Sequence, residues 1–249
     1  MSSQDFNMRN VPAADFKGLV KWPLVTKRGK DNTTAYKLYF YLLSRSAVCW
    51  GRKEFGEQTY YYISDNQKYW RRSEAAKDIG CIPRTISNNL NRLMEEGLLT
   101  KVEGGFRFNS LSCWAPVHWD IMKCFMNLGD FVNWEMMIRF YSVLLYADAR
   151  GVNQFTFSDI TKTFGLRGTT EDHTFLKMCL HWWSYLGLIT FTSQQKHHEQ
   201  FGNYTLYTIQ RIENRPTRLT ESLASEKEGD QPISNCWAEM LEMHQADLY

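Results

Sequence analysis

An α+β chain, mostly helical and built from a small repeated unit, is predicted by three observations. Two apolar helical segments, "TTAYKLYFYLLSRSA" (Thr33 to Ala47) and "MIRFYSVLLYADA" (Met137 to Ala149), superpose at an offset of 102 residues, setting Tyr39 on Tyr141 and Leu42 and Leu43 on Leu144 and Leu145. Each is followed by a short polar segment ending in Gly, "SEAAKDIG" (Ser73 to Gly80) or "SDITKTFG" (Ser158 to Gly165), and then by "RLMEEGLLT" (Arg92 to Thr100) or "WWSYLGLIT" (Trp182 to Thr190). Each copy then closes on a pair of strand-like runs. Matched elements in one order mark a repeated unit.

The elements follow from local chemistry. In the first long helix Tyr36, Tyr39 or Phe40, and Leu43 share one face, the spacing of a buried stripe. The run "TYYYISDNQKYWRR" reads as a strand alternating into the core, because Tyr suits a pleated half-buried surface. A stacking surface for unpaired bases is the alternative, with Tyr60, Tyr62 and Tyr69 beside Lys68, Arg71 and Arg72, since aromatics interleaved with cations hold single strands. The short helices are expected to start at Ser73 and Ser158 as N-caps, each followed by an acid, and to stop at Gly80 and Gly165; hydroxyls, acids and Gly favour those places in that order.

The next segment, "CIPRTISNNLNRLMEEGLL" (Cys81 to Leu99), is a second helix with Pro83 in its first turn, where a missing N–H costs nothing. Ile86, Leu90 and Leu93 form its buried stripe and leave Arg84, Thr85, Ser87, Asn88, Asn91 and Arg92 outward. A hairpin follows at Gly104-Gly105. In the second copy the strands are "LITFTSQQ" and "NYTLYTIQRI" (Asn203 to Ile212), joined by the polar loop "KHHEQFG". Helix, helix–turn–helix and hairpin define a winged helix–turn–helix. The expected organisation is an N-terminal tail (1–19), two tandem winged helix–turn–helix domains (20–112 and 113–212), a flexible acidic linker (213–235) and a short amphipathic helix (236–249).

Composition narrows the function classes. No uninterrupted apolar stretch approaches a membrane span, so no membrane contact and a cytoplasmic location are expected. The six cysteines are scattered without a C-x-x-C pair, and Cys113, His118 and Cys124 match no common zinc spacing, so reduced thiols and no metal or other cofactor are expected. Phosphate-binding, dinucleotide, zinc-protease and nucleophile-elbow motifs are absent, which favours a binding protein over an enzyme. The net charge of +2 conceals a gradient: +7 over residues 1–110, zero over 111–212 and −5 over 213–249. A basic front half with an acidic tail is a pattern of polyanion binders.

Laid in a major groove, the outward face of the second helix has the required chemistry. Arg bonds guanine bidentately, Asn bonds adenine, and Ser or Thr meets bases or phosphates. The candidate DNA-binding residues are therefore Arg84, Thr85, Ser87, Asn88, Asn91 and Arg92, with Arg71 and Arg72 ahead of the short helix and Lys101 and Arg107 in the hairpin. The second unit is a weaker candidate, through Thr174, Lys177, His181 and Lys196, because Glu171 and Asp172 at the start of its helix repel phosphate. Its aromatic end, Trp182, Trp183, Tyr185 and Leu186, reads as packed core, with a dimer or domain interface as the alternative. In the tail, Trp237, Met240 or Leu241, His244 and Leu248 form a helical stripe capped by Asn235. Trp237, Met240, Leu241 and Leu248 are the candidate partner-binding residues, and folding back on the chain's own domain is the alternative.

The run from "YKLYFYLLSRS" through Trp50, Gly56 and "TYYYIS" to the helix–turn–helix ending at Gly97-Leu98 resembles the N-terminal winged-helix region of replication initiator protein A of plasmids and other mobile elements. The resemblance covers about a third of the chain. It implies a DNA-binding initiator that recognises an origin and recruits host replication machinery. The second half departs from that family, and tandem winged helices are similar to a different plasmid initiator class, which binds repeated origin sites as a monomer and represses its own gene as a dimer. The expected function is sequence-specific double-stranded DNA binding by a replication initiator or replisome organiser of a plasmid, phage or other mobile element. Its expected partners are duplex DNA, a host replication protein held by the C-terminal helix, and a second copy in a homodimer. A winged-helix transcriptional regulator is the alternative, and an adaptor whose winged helices bind protein is the alternative of another class.

Overall fold

The structure is a computed structural model that describes residues 7–14, 32–49, 60–66, 70–129, 132–200 and 202–225. These residues form eight helices and nine strands in small sheets, a mixed α/β chain. The chain divides into two compact units, Met1–Arg9 with Pro23–Ser112, and Asn10–Trp22 with Cys113–Tyr249.

Unit 1 runs α1 (Asn32–Ser44), β2 (Ala47–Cys49), β3 (Tyr60–Ser64), α2 (Arg72–Ile79), α3 (Pro83–Glu95), β4 (Leu99–Val102) and β5 (Gly105–Phe108). Its sheet has the antiparallel order β2-β3-β5-β4. The three helices pack on one another around Tyr39, Leu43, Ile86, Leu90 and Leu93, all buried, and the Tyr39 ring meets Phe108 of the sheet edge-on at 5.3 Å. The first helix ends at Ser44, short of the expected Ala47. Its last carbonyls are taken by side chains: Ser46 Oγ donates to Leu43 O at 2.7 Å, and the buried Arg9 donates through Nε to Leu43 O at 3.2 Å and through Nη2 to Ser46 O at 2.8 Å. A cation at a helix C-terminus also complements the helix dipole.

Unit 2 shares the run of helix, strand, two helices and strand pair, without a counterpart of β2 and with further elements at both ends. It holds α4 (Trp119–Met126), α5 (Trp134–Asp148), β7 (Gln154–Phe155), α6 (Phe157–Phe164), α7 (Thr170–Tyr185), β8 (Ile189–His198), β9 (Gly202–Ile212) and α8 (Arg218–Ser225). The three-stranded order β7-β9-β8 matches β3-β5-β4 of unit 1: the strand ahead of the two consecutive helices pairs with the last strand of the hairpin. All of α5 from Trp134 to Ala147 is buried, the signature of a central core helix. That burial takes in a Glu135–Arg139 ion pair at 3.0 Å and Ser142, whose Oγ donates to Pro12 O at 2.8 Å.

Three expectations about organisation are corrected. Residues 1–19 are not simply a tail: β1 (Met8–Pro12) forms a two-stranded sheet with β6 (Trp114–His118), and Val11, Ala13 and Ala14 are buried. A strand too short to show periodicity and polar at Arg9 and Asn10 gives no such signal in sequence. The linker expected over 213–235 contains α8, which packs on α4; Thr217 and Thr220 cap it reciprocally, and Asn127 Nδ2 donates to Leu223 O at 2.9 Å. The polar loop expected at 196–202 is largely strand, since β8 continues to His198 and β9 begins at Gly202. Cross-strand pairing holds a polar ribbon extended, with His197 Nδ1 and Asn203 Oδ1 at 2.8 Å.

Helix starts also slip. The cap position of α2 is Arg71, and that of α6 is Thr156 in a reciprocal capping box with Asp159, so Ser73 and Ser158 lie inside the first turns. The stops fall where expected: Gly80 and Gly165 adopt left-handed φ of 76° and 66°, which Gly reaches without strain.

Candidate nucleic-acid interface

The α3 helix is positioned by a tight turn. Gly80 ends α2, Cys81 N–H bonds Ala76 O at 2.8 Å, and Ile82 enters α3 with Pro83 in its first turn. Ile86, Leu90 and Leu93 then bury one face. Of the six residues expected outward, Arg84, Asn88 and Asn91 are exposed and Thr85, Ser87 and Arg92 are half-buried, so none is lost to the core. Asn89, not singled out in sequence, is buried and donates from Nδ2 to Thr85 O at 2.9 Å. That bond bends an amide back onto its own helix and leaves Asn88 and Asn91 as the outward amides.

Electrostatics at the start of α3 favours an anion. No side chain caps it and no acid lies in its first turn, so the positive end of the helix dipole is unopposed. Arg84 forms no ion pair among the described residues.

A second group of residues gathers beside α2. Trp70 is buried, donates from Nε1 to Ser64 O at 2.9 Å and meets the Phe106 ring at 6.5 Å. It thereby pins the segment that carries Arg71 and Arg72, which line with Asp65, Trp70 and Ser73 a cleft of about 370 Å³. Arg71 lies 3.8 Å from Glu74 with both side chains more than half exposed, a hydrated pair of little worth to stability.

The hairpin is fastened to β3. Lys101 Nζ reaches Asp65 at 2.8 Å and lies over the Phe106 ring at 4.4 Å, so its charge is offset within the fold. Arg107 is half-buried, opposite Tyr62 on one side and Thr100 on the other. Gly105 is required by close approach: a Cβ there would overlap the Ile63 carbonyl oxygen and the Tyr62 ring.

Unit 2 presents the opposite electrostatics. Thr169 caps α7 in a reciprocal box with Asp172, whose carboxylate also accepts Gly168 N–H at 3.0 Å. The Glu171 carboxyl is held below its ordinary range by hydrogen bonds from its own backbone N–H and from Thr169. Two carboxylates thus occupy the start of α7 where α3 has none. Of the weaker candidates, Thr174 and Lys196 are exposed, Lys177 is half-buried, and half-buried His181 meets Phe191 edge-on at 5.2 Å.

Trp182, Trp183 and Leu186 are buried, with Trp183 5.1 Å from both Phe140 and Tyr141, whereas Tyr185 is exposed. The partner-binding candidates Trp237, Met240, Leu241 and Leu248, like Tyr69 and Lys68 of the stacking alternative, lie outside the described residues.

Among the described residues, no group of three His, Cys, Asp or Glu could hold a metal. Cys113 Sγ meets Tyr146 Oη at 3.0 Å, and His118 Nδ1 accepts Asp120 N–H at 3.2 Å. Burial pushes the Cys179 thiol and the Tyr39 and Tyr141 phenols up, away from reactivity at neutral pH. No described helix is long and apolar enough to cross a membrane.

No protein-family model matches this chain, and neither a curated protein nor a solved structure matches it.

Proposed function

We propose that this chain is a sequence-specific duplex-DNA-binding protein made of two tandem winged helix–turn–helix domains, with α3 of the first as the reading helix. The observation that carries the reading is the α3 face itself: Arg84, Asn88 and Asn91 exposed together on a helix whose start bears neither a capping side chain nor an acid. Arg71 and Arg72 hold the backbone from the start of α2, as phosphate contacts fix register while base contacts specify. The shared strand order of the two units supports a tandem arrangement. The carboxylates at α7 make the second domain the lesser DNA contact.

Within that reading the protein initiates or organises replication of a mobile element, which rests on the resemblance of about a third of the chain, within its first unit, to the N-terminal winged-helix region of replication initiator protein A. A transcriptional regulator would use the same DNA chemistry, and the arrangement of sites separates them: tandem direct repeats favour the initiator, a lone inverted repeat at a promoter the regulator.

Selection of bound duplexes from a random pool by the full chain, followed by anisotropy titrations at several salt concentrations, tests the proposal. Enrichment of a defined site with a steep salt slope is expected, because phosphate contacts release counterions. No enrichment and salt-independent behaviour would overturn it in favour of a protein-binding adaptor.

A further inference from the structure

One side chain on the candidate face does not fit its surroundings. Ile82 occupies the cap position of α3 and is 63% exposed. It is the one large apolar side chain exposed in unit 1 among the described residues. Isoleucine is among the poorest residues at a helix cap, where Ser, Thr, Asp or Asn would bond the free N–H groups. Position 82 therefore forgoes a cap and places an aliphatic group in water at once. Around it lie Pro83 and Arg84, both exposed, and the half-buried Cys81. Among the described residues of unit 1 no other large apolar side chain is exposed to extend it into the kind of patch a protein interface needs.

We infer that Ile82 is a specificity residue that reads the 5-methyl group of one thymine. This rests on the proposed duplex-DNA function. The apolar group that a major groove displays is the thymine methyl, and a helix–turn–helix brings the N-terminal residues of its second helix to the base edges. Ile82 supplies the methyl contact while Arg84, two residues on, meets a base or a phosphate nearby. The uncapped turn is consistent with this assignment, because a serine, asparagine or aspartate at 82 would cap the helix and lose the methyl contact.

The test uses the full chain and the duplex enriched from the random pool, with each thymine replaced in turn by deoxyuridine, which removes only the 5-methyl group. Wild type should lose about three- to fivefold in affinity at one thymine, the worth of one buried methyl, and Ile82→Ala should show no further loss there. Ile82→Ser separates the role from folding. It should raise the melting temperature by restoring a cap while abolishing discrimination between thymine and deoxyuridine. An unchanged methyl penalty in both variants, or no penalty at any thymine in wild type, would overturn the inference while leaving the DNA-binding reading intact. Failure of the pool to yield any site would overturn both.

Discussion

On the proposed duplex-DNA function, α3 carries the readers and the start of α2 the anchors, and mutation separates them. Arg84→Ala or Arg92→Ala should cost about 1–3 kcal/mol of specific binding and relax sequence preference, measured on the selected site and its single-base variants. Arg71→Ala or Arg72→Ala should weaken all duplexes alike and lower the salt slope by about 1, because a phosphate contact carries no base information. Gly105→Ala should destabilise the protein by about 1–3 kcal/mol in denaturant titration, since no side-chain movement relieves an overlap with the Ile63 backbone. The Ile86, Leu90 and Leu93 stripe was legible in the sequence because helical periodicity is local. Arg9 was not: its partners Leu43 O and Ser46 O stand more than thirty residues away and are backbone groups with no sequence signature.

Helices α3 and α7 show how one element can be built for two surroundings. Thr169→Ala should destabilise by about 1 kcal/mol through loss of the capping box, read as a lowered melting temperature. The same helix start gives a pH dependence of defined sign. Because the Glu171 carboxyl is held below its ordinary range, its contribution is present above the ordinary carboxylate pKa and is lost as pH falls through the lowered value. Thermal melts of Glu171→Gln and wild type should converge on acidification. The order of the two consecutive helices and the hairpin, the Gly80 and Gly165 stops and the first hairpin were readable because Gly and apolar spacing punctuate them. The helix starts slipped at Ser73 and Ser158, since several hydroxyls or polar residues compete for one cap and backbone geometry chooses among them. The helix α8 escaped reading because its sequence is polar and its stability comes from packing on α4, which no local window contains.

At the scale of the whole chain, the segment 8–14 is part of the fold, with Arg9, Val11, Ala13 and Ala14 buried. Deleting residues 1–14 removes Val11, Ala13 and Ala14 from the interior, the Ser142 bond to Pro12 O and the Arg9 bonds at the end of α1. The truncated chain should melt at a lower temperature than the full chain, and a domain fragment started at Cys113 should share that defect. The edge of the second sheet has a practical consequence. Strand β8 is the outer strand of β7-β9-β8, and Ile189 to Gln195 within it contains no charge, Pro or Gly. Such an edge is a template for fibril growth. Concentrated stocks should gain thioflavin fluorescence with storage, and Gln194→Lys, which places a charge on that edge, should lengthen shelf life without altering the fold.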